Sequence, residues 1–204
     1  MKRRRLLLLP AAAAALAALG GCDQLGLGGA PKASFNGTDI TGADYRYNLP
    51  DVDGRMRSNA DFKGKVTVVF FGYTQCPDVC PTTMAELAAV KKALGPDGDR
   101  LQAVFITVDP ERDVPETLRA YVGSFDPAFV ALRGTPEQTA EVAKSFKVFF
   151  ARSPGKTPDS YTMDHTAASY VFDTEGRVRL YVRYGAGAEP LTADVKALLA
   201  QAAG

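Results

Sequence analysis

The chain has 204 residues, 46% of them hydrophobic and 23% charged, enough for one globular domain with a full core plus a short extra segment. Its 24 Lys and Arg nearly balance 23 Asp and Glu, and loss of Lys2, Arg3, Arg4 and Arg5 with a cleaved leader leaves the remainder slightly acidic. That balance excludes the basic surface on which nucleic-acid binding depends, and no nucleic-acid partner is expected.

Residues 1–21 have the three parts of an export leader: the basic start, an apolar run over residues 6–19, and the small residues Gly20 and Gly21 ahead of Cys22. The run is shorter than the ~20 residues of a membrane-spanning helix, and Pro10 interrupts it. Leu19-Gly20-Gly21-Cys22 resembles the lipobox of bacterial lipoproteins, which implies acylation of Cys22 and a chain tethered to a membrane by lipid. Cys22 otherwise lacks an evident partner, which an exported odd cysteine needs. Asp23 resembles the residue that retains such proteins at the inner membrane of enteric bacteria, so the expected location is the periplasm, on the inner (cytoplasmic) membrane. Residues 22–34, rich in glycine and without hydrophobic period, read as a flexible tether with a reach on the order of 20 Å.

Strand and helix patterns then alternate over residues 35–204. A strand is expected over 45–49, a turn over 50–54, and a buried β-branched and aromatic strand over 65–72. Pro81 suits the first turn of a helix whose apolar positions Met84, Leu87, Val90 and Leu94 recur at helical spacing. A buried strand over 101–108, a helix over 115–125 and a short strand over 129–132 follow. Thr135-Pro136-Glu137-Gln138 has a cap, a first-position proline and a glutamine three after the cap, opening a third helix. Residues 151–162, with Pro154, Gly155 and Pro158, read as a long loop. Strands over 167–172 and 178–184 flank Asp173-Thr174-Glu175-Gly176 as a hairpin, and Leu191, Val195, Leu198 and Leu199 mark a last amphipathic helix. The order predicts an α/β domain of thioredoxin-like type, a central mixed β-sheet flanked by helices.

Cys76-Pro77-Asp78-Val79-Cys80-Pro81 falls between a buried strand and a helix start, where the helix dipole favours thiolate over thiol. Two thiolates there are either a soft-metal clamp or a redox couple; a structural disulfide closing so small a loop contributes little. His165 is the only histidine, placed after the long loop and directly before a strand. With both cysteines it makes a three-ligand set that suits copper in either oxidation state, whereas structural zinc requires four closed ligands. Met163 can add a thioether, although a place in the core suits it better. Asp109 and Arg112, at the C-terminal end of a strand, either orient the metal loop or a partner, or form a local ion pair.

Residues 71–82, FGYTQCPDVCPT, resemble the signature of the Sco/SenC family; Thr107-Val108-Asp109-Pro110-Glu111-Arg112-Asp113 and Asp164-His165-Thr166 resemble its second and third blocks. Val114 replaces the threonine expected after Asp113. The resemblance implies a thioredoxin-like fold and copper held by Cys76, Cys80 and His165. It also implies copper received from an upstream donor and passed to the copper-centre-bearing subunit of cytochrome c oxidase. The rival reading is a thiol:disulfide oxidoreductase working through Cys76 and Cys80. Against it, the usual thioredoxin pair has two intervening residues and a neighbouring tryptophan, while this chain has three and no tryptophan.

Overall fold

The computed structural model describes residues 34–157 and 160–202; the leader, Cys22 and the tether to residue 33 lie outside them. Among the described residues no helix is long and apolar enough to cross a membrane.

Strands β1 (Thr38–Asp39), β2 (Asn48–Pro50) and β3 (Met56–Ser58) precede the central pair, β4 (Val66–Gly72) and β5 (Leu101–Thr107). Every residue of β4 and β5 is buried, which is why both read as unbroken apolar runs rather than alternating ones. They pair in parallel from Val66↔Leu101 to Gly72↔Thr107, joined by helix α1 (Val79–Ala93). Helix α2 (Pro115–Gly123) leads to β6 (Val130–Leu132), which is parallel to β5. Strands β9 (Ala168–Phe172) and β10 (Val178–Arg183) turn back as the expected hairpin, with β9 antiparallel to β4. The six-stranded mixed sheet runs β1-β10-β9-β4-β5-β6. Helix α4 (Ala188–Gln201) packs on α1 and on β4.

Helix α3 (Pro136–Ser145) begins as its sequence predicts: the Thr135 hydroxyl accepts from the Gln138 N–H at 3.2 Å, and the Gln138 side chain accepts from the Thr135 N–H at 2.9 Å. Beyond it, the fully buried Phe146 ring is ringed by Tyr45, Phe71 and Tyr170 at centroid distances of 5.1–5.2 Å. Tyr45 and Tyr47 therefore serve as packing side chains, and the strand expected over 45–49 shrinks to the short β2, which pairs only with β3.

The loop expected over 151–162 is corrected by the structure. Phe150–Pro154 (β7) and Tyr161–His165 (β8) form an antiparallel hairpin, in register from Phe150↔His165 to Pro154↔Tyr161, as a two-stranded sheet separate from the main one. Pro154, which argues for a loop in sequence, sits at the distal end of the strand, where a missing N–H is tolerated.

Candidate metal centre

The C-terminal end of β4 delivers the cysteine loop. The Cys76 N–H donates to the Tyr73 carbonyl at 3.2 Å, closing a tight turn, and the Cys80 N–H donates to Cys76 Sγ at 3.4 Å. Helix α1 starts at Val79, two residues before the expected Pro81, so Cys80 lies inside its first turn and is 0% exposed. Cys76 is half-buried, and both cysteines are free thiols.

Gly72 makes room for this arrangement. A Cβ there would lie 2.8 Å from Cys80 Sγ and from the Phe105 ring, and 3.0 Å from the Phe70 ring. Gly72→Ala is expected to destabilise the fold by about 1–3 kcal/mol through overpacking. The same change pushes Cys80 out of place, so chemical denaturation and the rate of Cys80 alkylation should both change together.

Asp113 fastens the loop from below. Its fully buried carboxylate accepts from the Thr74 hydroxyl and the Thr107 hydroxyl, each at 2.6 Å, and from the Thr74 N–H at 3.1–3.2 Å. Burial pushes the Asp113 carboxyl above its ordinary value, and the hydrogen bonds from Thr107 and Thr74 offset part of that rise.

His165 closes the site from β8. Its Nε2 lies 3.4 Å from Cys80 Sγ, and its Nδ1 lies 3.2 Å from the Thr166 carbonyl. A carbonyl can only accept, so in this contact the proton sits on Nδ1 and the Nε2 lone pair faces the sulfurs. The Phe70 and Tyr73 rings stand edge-on to the imidazole at 6.0 Å. The donor atoms of Cys76, Cys80 and His165 all lie within 4.8 Å of one another. Donors bound ~2.0–2.3 Å from one ion stand up to ~4.6 Å apart, so closure needs only small side-chain rotation. Among the described residues this is the one group of three or more Cys, His, Asp or Glu side chains arranged to hold a metal ion.

The two thiols share one negative charge. Hydrogen bonding from Cys80 pulls the Cys76 thiol far below its ordinary value; burial opposes this, and the N–H groups of Cys80 and Asp78 add to it. Cys80 is pushed strongly upward, by that same bond to Cys76 and by burial. The opposite shifts favour a Cys76 thiolate beside a Cys80 thiol, and a metal held by both sulfurs would displace the Cys80 proton.

A family model described as SCO1/SenC matches residues 36–200. The chain belongs to that family. It is 36% identical over 152 residues to the mitochondrial SCO2 homolog of Bos taurus, covering 74% of this chain and 57% of that protein. The chain spans about six-tenths of the length of the curated relatives it matches. The copper-bound structure of ScoI from Bradyrhizobium japonicum aligns with a TM-score of 0.67 at 41% identity, over 81% of this chain and 99% of that one. The apo Sco1 structure from Thermus thermophilus aligns with a TM-score of 0.73 at 37% identity, over 82% and 99%. The SCO1/SenC fold of this chain is thioredoxin-like, as its element order predicts.

The other residues singled out in sequence fall into place around the SCO1/SenC centre. Met163 is buried in the hydrophobic core, and Asp164 points outward to accept from the Ser153 hydroxyl at 2.5 Å. Asp109 and Arg112 form the local ion pair that is one of the two readings, and Arg112 also donates to Gln75 at 3.1 Å, beside Cys76. Sequence reasoning missed Gly72, Thr74, Gln75 and Tyr161 as supports of the site. Asp113 lay within a quoted block, but no spacing rule says that its carboxylate reaches Thr74.

Proposed function

We propose that this SCO1/SenC protein binds copper through Cys76 Sγ, Cys80 Sγ and His165 Nε2 and carries it as cargo to the copper-centre-bearing subunit of cytochrome c oxidase during assembly. The observation that carries the reading is the 3.4 Å contact of Cys80 Sγ with His165 Nε2, between residues 85 apart in sequence. Two thiolates are soft donors suited to copper(I), and the imidazole extends the set to copper(II). The copper-bound relatives at 41% and 29% identity support the choice of metal. Titrating the reduced, purified chain with copper should give one tightly bound ion per chain, and no uptake would overturn the reading.

The copper comes from an upstream donor on the same side of the membrane, and the chain works in the periplasm, held to the inner membrane by a lipid on Cys22. A diacylated cysteine has two chains, enough for stable anchoring. Fatty-acid labelling should mark the wild type, and Cys22→Ser should move the protein to the soluble fraction. A Cys22→Ser protein still fully in the membrane fraction would show that the leader itself is the anchor.

A further inference from the structure

Arg112 touches both halves of the metal centre without supplying a ligand. Its Nε donates to Asp109 Oδ2, and its Nη1 donates to Gln75 Oε1 at 3.1 Å and to the Tyr161 carbonyl at 2.9 Å. The guanidinium carbon lies 3.5 Å from the centre of the Tyr161 ring and 5.8 Å from that of Tyr73. Tyr161 returns to the same carboxylate, its hydroxyl donating to Asp109 Oδ1 at 2.9 Å. The Asp109 side chain is 1% exposed and that of Arg112 17%, so water screens this cluster poorly and its contacts are stronger than those of a surface pair.

The connectivity gives the cluster its meaning. Gln75 and Tyr73 belong to the cysteine loop on the main sheet, whereas Tyr161 opens β8, the strand that ends in His165. The β7–β8 hairpin is a separate two-stranded sheet, and such a hairpin is marginal without outside support. The Arg152–Glu111 ion pair also links it to the rest of the chain, but both side chains are about half exposed and such pairs contribute little.

We propose that Arg112 and Tyr161 are positioning residues that tie the histidine hairpin to the cysteine loop and so set the approach of His165 Nε2 to Cys80 Sγ. The proposal rests on the reading of Cys76, Cys80 and His165 as the copper ligands. Arg112→Met removes the fork while keeping a long stem, and Tyr161→Phe removes only the hydroxyl bond to Asp109. Each is made alone and together with His165→Ala in the full chain. Copper(II) affinity is read by competition with a chelator, and amide hydrogen exchange is read on the metal-free protein.

Arg112→Met should weaken copper(II) about 10-fold or more, the scale seen when a group that orients a ligand is lost, and Tyr161→Phe should do so less. Both effects should vanish in the His165→Ala background, where there is no histidine left to position. In the metal-free variants, exchange should quicken over 161–165 and stay unchanged in β4 and β5. Equal losses with and without His165 would mean that Arg112 acts through the cysteines or the fold, and would overturn the proposal, as would unaltered exchange over 161–165. If the wild type takes up no copper, the functional reading falls, while the exchange result still decides whether the tie holds the hairpin.

Discussion

His165→Ala should weaken copper(II) binding more than ~100-fold, to a residual affinity that the two sulfurs still supply and chelator competition still reads, while copper(I) stays bound by the two sulfurs with a smaller loss. The asymmetry follows from the donors. Copper(I) is satisfied by two soft thiolates, whereas copper(II) needs the harder nitrogen that Nε2 presents 3.4 Å from Cys80 Sγ. Losing a mere outer partner of a ligand costs 10–100-fold, and a ligand itself must cost more. Chelator competition in each oxidation state measures both constants. An oxidoreductase using Cys76 and Cys80 alone would keep most of its exchange activity, because that chemistry needs only sulfur and access. If His165→Ala cells still fill the oxidase copper centre at low copper supply while Cys76→Ser cells do not, thiol exchange is the physiological role and the delivery reading is wrong.

Asp113→Ala should cost about 2–4 kcal/mol of stability, since it strands two hydroxyls and a backbone N–H that now share one buried carboxylate. The cysteine loop loosens with it, so copper affinity should fall alongside the denaturation midpoint. Asp113→Asn keeps one acceptor oxygen, and its NH2 can donate to the threonine hydroxyl that loses the other, so it should be milder, and it exposes the pH dependence. The Asp113 carboxyl is raised in the folded chain from an ordinary 3.8, so the folded state holds that proton more tightly than the unfolded state does. Its contribution is fully present below about pH 3.8 and declines as pH rises through the raised folded value. The stability of wild type relative to Asp113→Asn should accordingly fall with rising pH across that window; a flat difference would mean that the carboxyl is not raised.

What could be read in the sequence was whatever repeats over a long span or caps a helix. Strands β4 and β5 were legible because both faces are covered, leaving no polar alternation to confuse the pattern, and α3 was legible because Thr135 and Gln138 cap it locally. The β7–β8 hairpin was not, because its residues are largely half-exposed and it pairs with itself, away from the sheet. Misreading that hairpin as a loop hid Tyr161 and with it the meaning of Arg112. That Cys76, Cys80 and His165 come together was legible from residue type and setting. Asp113 acts through 2.6 Å hydrogen bonds to Thr74 and Thr107, and Gly72 through the room it leaves beside Cys80 and Phe105, neither of which linear spacing encodes.

The two sulfurs differ in access as well as in charge. Cys80 is fully buried in the first turn of α1, while Cys76 is only half-buried. A thiolate or other soft donor arriving from a second protein can therefore meet only one of them head-on. If copper is passed on as proposed, an incoming group would engage first at Cys76, and Cys80 would let go second.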